Sequence, residues 1–139
     1  MRVKCKDPVE RLCALLREDD DYALLRNADV KANFARGGDV DLLVEDPHAF
    51  SQQLLDTLGS PLMTMKRSYV HGFFWRWGHV DLIPALEWRG GSYLSAEEVL
   101  SSAFRNREGF LEASLPYQAI ICWFSSLIWG GFFLSLIHI

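Results

Sequence analysis

The chain has 139 residues, half of them hydrophobic and 23% charged, with a net charge of −4 and a pI near 5.5. This is one domain's worth of chain, or a small catalytic domain with the start of a second; the composition excludes intrinsic disorder, and no Lys/Arg stripe marks a general nucleic-acid binder. Cys5, Cys13 and Cys122 are odd in number, widely spaced and form no Cys-x-x-Cys, which argues against a zinc site or a disulfide framework and suits a reducing cytoplasm.

The basic opening, residues 1–6, runs into an acidic amphipathic segment instead of the apolar stretch of a secretory signal. Asp7-Pro8 reads as an N-cap with proline at the first helical position. Val9, Leu12, Cys13, Leu15 and Leu16 then share one face, which predicts a helix to about Arg17. Residues 18–21 are an acidic, solvated connection. A strand is expected over 22–26, a loop with one helical turn over 27–36, and a central strand over 39–44. Asp46-Pro47 repeats the cap-plus-proline signal and opens a helix carrying Ala49, Phe50, Leu54, Leu55 and Leu58, which Gly59 ends.

Residues 62–69 and 70–77 read as two strands, with His71-Gly72 as a turn or bulge between them, and Gly78 leads into a strand over 79–84. Residues 89–92 form a loop. Ser95 with Glu98 is a capping box that opens a helix to about Phe104. Residues 105–114 are a polar connection, and Pro116 starts an apolar helix ending near Gly130. The expected class is α/β (α+β), a mixed sheet flanked by helices and followed by a partial helical segment. The expected divisions are a core over residues 1–92, the start of a helical region over 93–133, and a tail over 134–139.

One motif carries chemistry. Arg36-Gly37-Gly38-Asp39-Val40-Asp41-Leu42-Leu43-Val44 sets two carboxylates one residue apart at the head of an apolar run, and His79-Val80-Asp81-Leu82-Ile83 later sets a third inside another. Strand side chains alternate, so Asp39 and Asp41 point one way while Val40, Leu42 and Val44 point into a core. Neighbouring anions repel, and burying them unpaired is costly, so a cation is expected between them. A pair of Mg²⁺ ions shared with Asp81 would resolve the conflict and suit phosphoryl chemistry.

The Gly-Gly-Asp-Val-Asp-Leu-Leu-Val stretch with the later Val-Asp-Leu-Ile resembles the polymerase-beta-type nucleotidyltransferase superfamily, nearest to its small uncharacterised bacterial members, in which a Leu-Arg-Asn or Leu-Arg-Gly precedes the acid pair. Here that stretch is Leu24-Leu25-Arg26-Asn27, and the resemblance covers roughly residues 20 to 130. It implies a nucleotidyltransferase fold and Mg²⁺-dependent transfer of a nucleoside monophosphate from an NTP to an acceptor hydroxyl. Asp39, Asp41 and Asp81 would hold two Mg²⁺, one at the triphosphate and one at the attacking hydroxyl, with pyrophosphate leaving in line. Gly37, Gly38, Arg36, Asn27 and Arg26 are the candidate nucleotide contacts. Members of the family carry Gly-Ser or Gly-Gly about a dozen residues before the first Asp, at a helix N-terminus where backbone N–H groups hold phosphate. This chain has Asn27-Ala28 there, which forgoes the close approach that glycine allows.

Other readings compete. The acids could be ordinary turn carboxylates after Gly-Gly. The Asp-x-Asp-x-Asp-Gly run with a distal Glu is absent, which argues against a calcium loop. A glycosyltransferase Asp-x-Asp normally follows its apolar strand, whereas here the acids come first. His79 shares the Asp81 face, either as proton acceptor or orienting partner or, the favoured reading, as an ordinary strand histidine. Phe73, Phe74, Trp75, Trp77 and Trp88 are chiefly sheet core, with base stacking as the alternative. Nothing local fixes the direction of Lys66, Arg67 or Arg76. Residues 117–139 are almost uncharged and long enough to span a bilayer, but Gly130-Gly131 interrupts them and no basic cluster flanks them. Leu134-Ser-Leu-Ile-His-Ile139 also resembles a translated transposon-end adapter, so a truncated helix is expected. Two alternatives to the enzyme remain: a catalytically degenerate nucleotide- or partner-binding domain of the same fold, and a membrane-associated protein anchored by residues 117–139.

Overall fold

The computed structural model describes residues 7–25, 29–67, 70–88 and 91–129. The first helix, α1 (Pro8–Glu18), starts where the Asp7 carboxylate accepts the Val9 N–H at 3.0 Å, and it buries Leu12, Cys13 and Leu16. The short strand β1 (Tyr22–Leu24) follows, then α2 (Val30–Ala35), capped by Asp29. The loop expected over 27–36 thus contains a helix in its second half. Six residues are too few to display a helical period.

Strand β2 (Asp39–Val44) has the expected bounds. Helix α3 (Pro47–Leu58) begins at the Asp46 cap and ends at Gly59, whose φ of 81° is the left-handed backbone that stops a helix. Then come β3 (Met63–Arg67), β4 (Val70–Trp75) and β5 (Gly78–Ile83). His71-Gly72 is neither turn nor bulge. Both residues lie inside β4, paired with Lys66 and Met65 on one side and with Leu82 and Asp81 on the other.

Strands β6 (Ala85–Trp88) and β7 (Gly91–Ser95) pair as a separate two-stranded sheet, where a loop alone was expected. Ser95 caps α4 (Ala96–Leu100) through the Glu98 N–H, as the capping box predicts, although the helix is shorter than the sequence suggests. The expected polar connection over 105–114 holds two short strands, β8 (Phe104–Arg105) and β9 (Leu111–Glu112). The last helix is α5 (Leu115–Trp129). Among the described residues no helix is long and apolar enough to cross a membrane.

Seven strands form one mixed sheet in the order β3-β4-β5-β2-β1-β9-β8, with β2–β5 and β1–β9 parallel and the other pairs antiparallel. Alternation gives it two faces. Tyr22, Leu24, Val40, Leu42, Val44, Val80 and Leu82 point to one, where α1, α2 and α3 cover them with Leu12, Leu16, Val30, Phe34, Phe50 and Leu54. Ala23, Leu43 and Ile83 point to the other and pack with the β6–β7 hairpin, α4 and α5 through Leu86, Leu94, Val99 and Ile121. Arg105 ties β8–β9 to the chain between α1 and β1, donating to the Leu16, Asp19 and Gly109 carbonyls and pairing with Asp20. The result is an α+β domain with a mixed sheet flanked by helices.

Candidate metal centre

The site begins with register. In the parallel β2–β5 pair, Asp39 stands opposite His79 and Asp41 opposite Asp81. Cross-strand partners share a face, so all four side chains project from the face opposite to Val40, Leu42, Val80 and Leu82. They occupy the N-terminal halves of the two strands. Leu43 and Ile83, further along the same face, enter the second core. The acids therefore sit where apolar cover gives way to open surface: Asp39 is exposed, Asp41 and Asp81 are half-buried.

Asp39, His79 and Asp81 each bring a ligand-capable atom to within 4.8 Å of the others. His79 Nε2 lies 2.6 Å from Asp81 Oδ1. The Phe74 ring stacks on the imidazole with centroids 3.9 Å apart and planes inclined by 19°, which fixes the ring's plane. Burial pushes the Asp81 carboxyl above the ordinary carboxylate range; His79 pulls it back by charge and by hydrogen bond, Asp39 pushes it up again, and Arg67 draws it down.

Two backbone features make room for this group. Gly72 sits across β4 from Asp81, and a Cβ there would stand 2.9 Å from Asp81 Oδ1, 3.2 Å from Phe74 Cε2 and 3.3 Å from His79 Nε2. Any side chain at this position would enter the space where the carboxylate and imidazole meet. At the head of β2, the buried Asn33 of α2 donates its side-chain N–H to the Asp39 carbonyl, and the Gly38 N–H donates to the Asn33 carbonyl at 2.9 Å. A Cβ on Gly38 would collide with the Asn33 carboxamide. This interlock sets where the Asp-x-Asp strand starts.

Function has to be argued from the site, because its chemistry lies in placed residues and not in the fold. No protein-family model, curated protein or solved structure matches this chain.

The candidates from sequence fall into three groups. Asp39, Asp41 and Asp81 share one face, with Asp39 and Asp81 in the tight group and Asp41 in register beside Asp81. Gly37 has a φ of 74°, so its role is the turn into β2; Gly38 serves the interlock with Asn33, and Arg36 is exposed at the end of α2. Arg26 and Asn27 lie outside the described residues. The β3–β4 register settles the directions that sequence left open: Arg67 and Met65 lie on the acid-bearing face, and Lys66 on the opposite one. His79 stands with the acids, its ring nitrogen within 4.8 Å of ligand atoms of Asp39 and Asp81. Asn33 and Gly72 carried no sequence signal as site residues, and Phe74 reads from sequence as sheet core or base stacking and not as a partner of His79, because each acts across the fold and not along the chain.

A compact set of two carboxylates and an imidazole, with a third carboxylate adjacent, has the chemistry to hold a divalent cation.

Proposed function

We propose that this chain has a nucleotidyltransferase fold and transfers a nucleoside monophosphate from an NTP to an acceptor hydroxyl, with Mg²⁺ ions held by Asp39, Asp41 and Asp81. The observation that supports this reading is the β2–β5 register, which gathers three carboxylates on one half-open face although about forty residues separate them in sequence. When bound, the cations supply charge neutralisation for the triphosphate and for the attacking and leaving oxygens.

The chain's own residues supply the rest. Asn33 and Gly38 fix the start of β2, so that Asp39 and Asp41 are presented together at the open edge. His79 Nε2, 2.6 Å from Asp81 Oδ1, helps hold this carboxylate on the acid-bearing face. Arg67 adds positive charge to the same face, where an anionic nucleotide would lie. The Phe74–His79 stack and the second core stiffen the floor of the site.

A second reading, a nucleotide-binding domain without transfer activity, draws support from two features. His79 engages one oxygen of the third carboxylate, and Asn27-Ala28 stands where the resembled family carries glycine.

Calorimetry of each of the four NTPs against the chain, with and without Mg²⁺, tests both readings. The expected result is Mg²⁺-dependent binding of at least one NTP that disappears in Asp39→Asn/Asp41→Asn. No binding under any condition would sink both. Binding without pyrophosphate release across a panel of hydroxyl acceptors would favour the second.

A further inference from the structure

The tightest group on the acid-bearing face is not the three carboxylates but Asp39, His79 and Asp81. From this we infer that His79 Nε2 is itself a metal ligand, so that the site prefers a first-row transition ion, Mn²⁺, over Mg²⁺. The inference rests on the reading of this face as a metal centre and adds the identity of the ion it selects.

Three observations carry it. His79 lies directly opposite Asp39 across the parallel pair and shares its face with Asp81, so the imidazole adjoins both carboxylates. Its Nε2 is 2.6 Å from Asp81 Oδ1, close to the roughly 3 Å that separates neighbouring ligands on an ion with bonds of about 2.1 Å. Very little movement therefore turns this hydrogen-bonded pair into two ligands. The ring cannot easily turn away, because Phe74 covers one of its planes at a centroid distance of 3.9 Å.

The choice of ion follows from donor chemistry. Mg²⁺ takes oxygen ligands and holds its water tightly, so an imidazole is a poor exchange for a water. First-row transition ions accept imidazole nitrogen more readily than Mg²⁺ does, and Mn²⁺ is the one among them that shares the carboxylate-rich sites of Mg²⁺.

The test is direct metal binding to the full chain without nucleotide, so it does not depend on activity. Wild type should bind Mn²⁺ at least tenfold more tightly than Mg²⁺ by titration. Pulsed electron paramagnetic resonance of bound Mn²⁺ should show coupling to an imidazole ¹⁴N. His79→Asn should lose that coupling and about tenfold in Mn²⁺ affinity, with less than a twofold change for Mg²⁺. The wild-type spectrum needs no variant, so it stands even if His79→Asn folds poorly. Bound Mn²⁺ without nitrogen coupling would overturn the inference and leave the nucleotidyltransferase reading intact, as would equal losses for both ions in His79→Asn. No binding of either ion without nucleotide would also overturn it, while the NTP calorimetry in Mg²⁺ would still judge the broader reading separately.

Discussion

Gly72→Ala is the most searching perturbation of this site, because it adds one carbon and no charge. In a strand interior the change is worth about 0.5–1 kcal/mol in favour of alanine through reduced backbone freedom. Against this, the added carbon would stand 2.9 Å from Asp81 Oδ1, 3.2 Å from Phe74 Cε2 and 3.3 Å from His79 Nε2. Overpacking of this kind costs about 1–3 kcal/mol, so a net loss of about 1 kcal/mol is expected. For a chain of this size that lowers Tm by about 3–5 °C. The larger effect should fall on the site. Of the three neighbours, Asp81's carboxylate lies nearest, and displacing it stretches its 2.6 Å contact with His79. Divalent-ion affinity should then drop at least tenfold, out of proportion to the stability change. Urea denaturation in the presence of a chelator gives the first quantity, and Mn²⁺ titration of the folded variant gives the second. A variant as stable as wild type that binds Mn²⁺ within twofold of it would show that the missing Cβ does not shape the site.

Other expectations follow from the same contacts. Asn33→Ala removes the donor to the part-buried Asp39 carbonyl and should cost about 0.5–1.5 kcal/mol in urea denaturation. Gly38→Ala should be less damaging in that background than in wild type, since the carboxamide it would strike is gone, and a double-mutant cycle measures the difference. The Tyr22 hydroxyl donates to the Leu16 carbonyl and accepts from the Leu111 N–H at 3.0 Å, and burial pushes the phenol above its ordinary value of 10.0. Its contribution is therefore complete below about pH 10 and is lost as pH rises through the raised value. The stability gap between wild type and Tyr22→Phe should thus close in alkaline solution, and Cys13, present in both, cancels from the comparison. Arg67→Ala should weaken NTP binding about three- to tenfold in calorimetry, and Lys66→Ala, on the other face, less than twofold. Equal effects would mean that the face does not matter.

Much of this architecture was legible in the sequence, and what escaped has physical causes. The Asp-Pro caps marked the starts of α1 and α3, Gly59 marked the end of α3, and alternation gave β2 its bounds. The strands of the β8–β9 hairpin are two residues each and owe their form to their partners, so propensity had nothing to detect. Gly72 was misleading for a different reason. A glycine beside a histidine suggests a turn, but inside a strand it can mark a close approach, and only the β4–β5 register reveals that the approaching group is Asp81. For the site, alternation was enough to put Asp39 and Asp41 together and His79 with Asp81. Joining the two pairs, and choosing between Lys66 and Arg67, required pairing between distant segments.

The pairing of β1 sets an order on biosynthesis. This strand lies inside the sheet only because β9, some ninety residues later, adds to its open side, with Tyr22 and Arg105 fastening the join. Residues 39–81, which carry the acid-bearing face, leave the ribosome well before residues 111–112. A nascent chain can therefore assemble β2 and β5 while the far edge of β1 still lacks its neighbour. For that interval the same edge is open to pairing with another nascent chain. The acid-bearing face and the covered edge of β1 thus come from parts of the polypeptide that emerge at different moments.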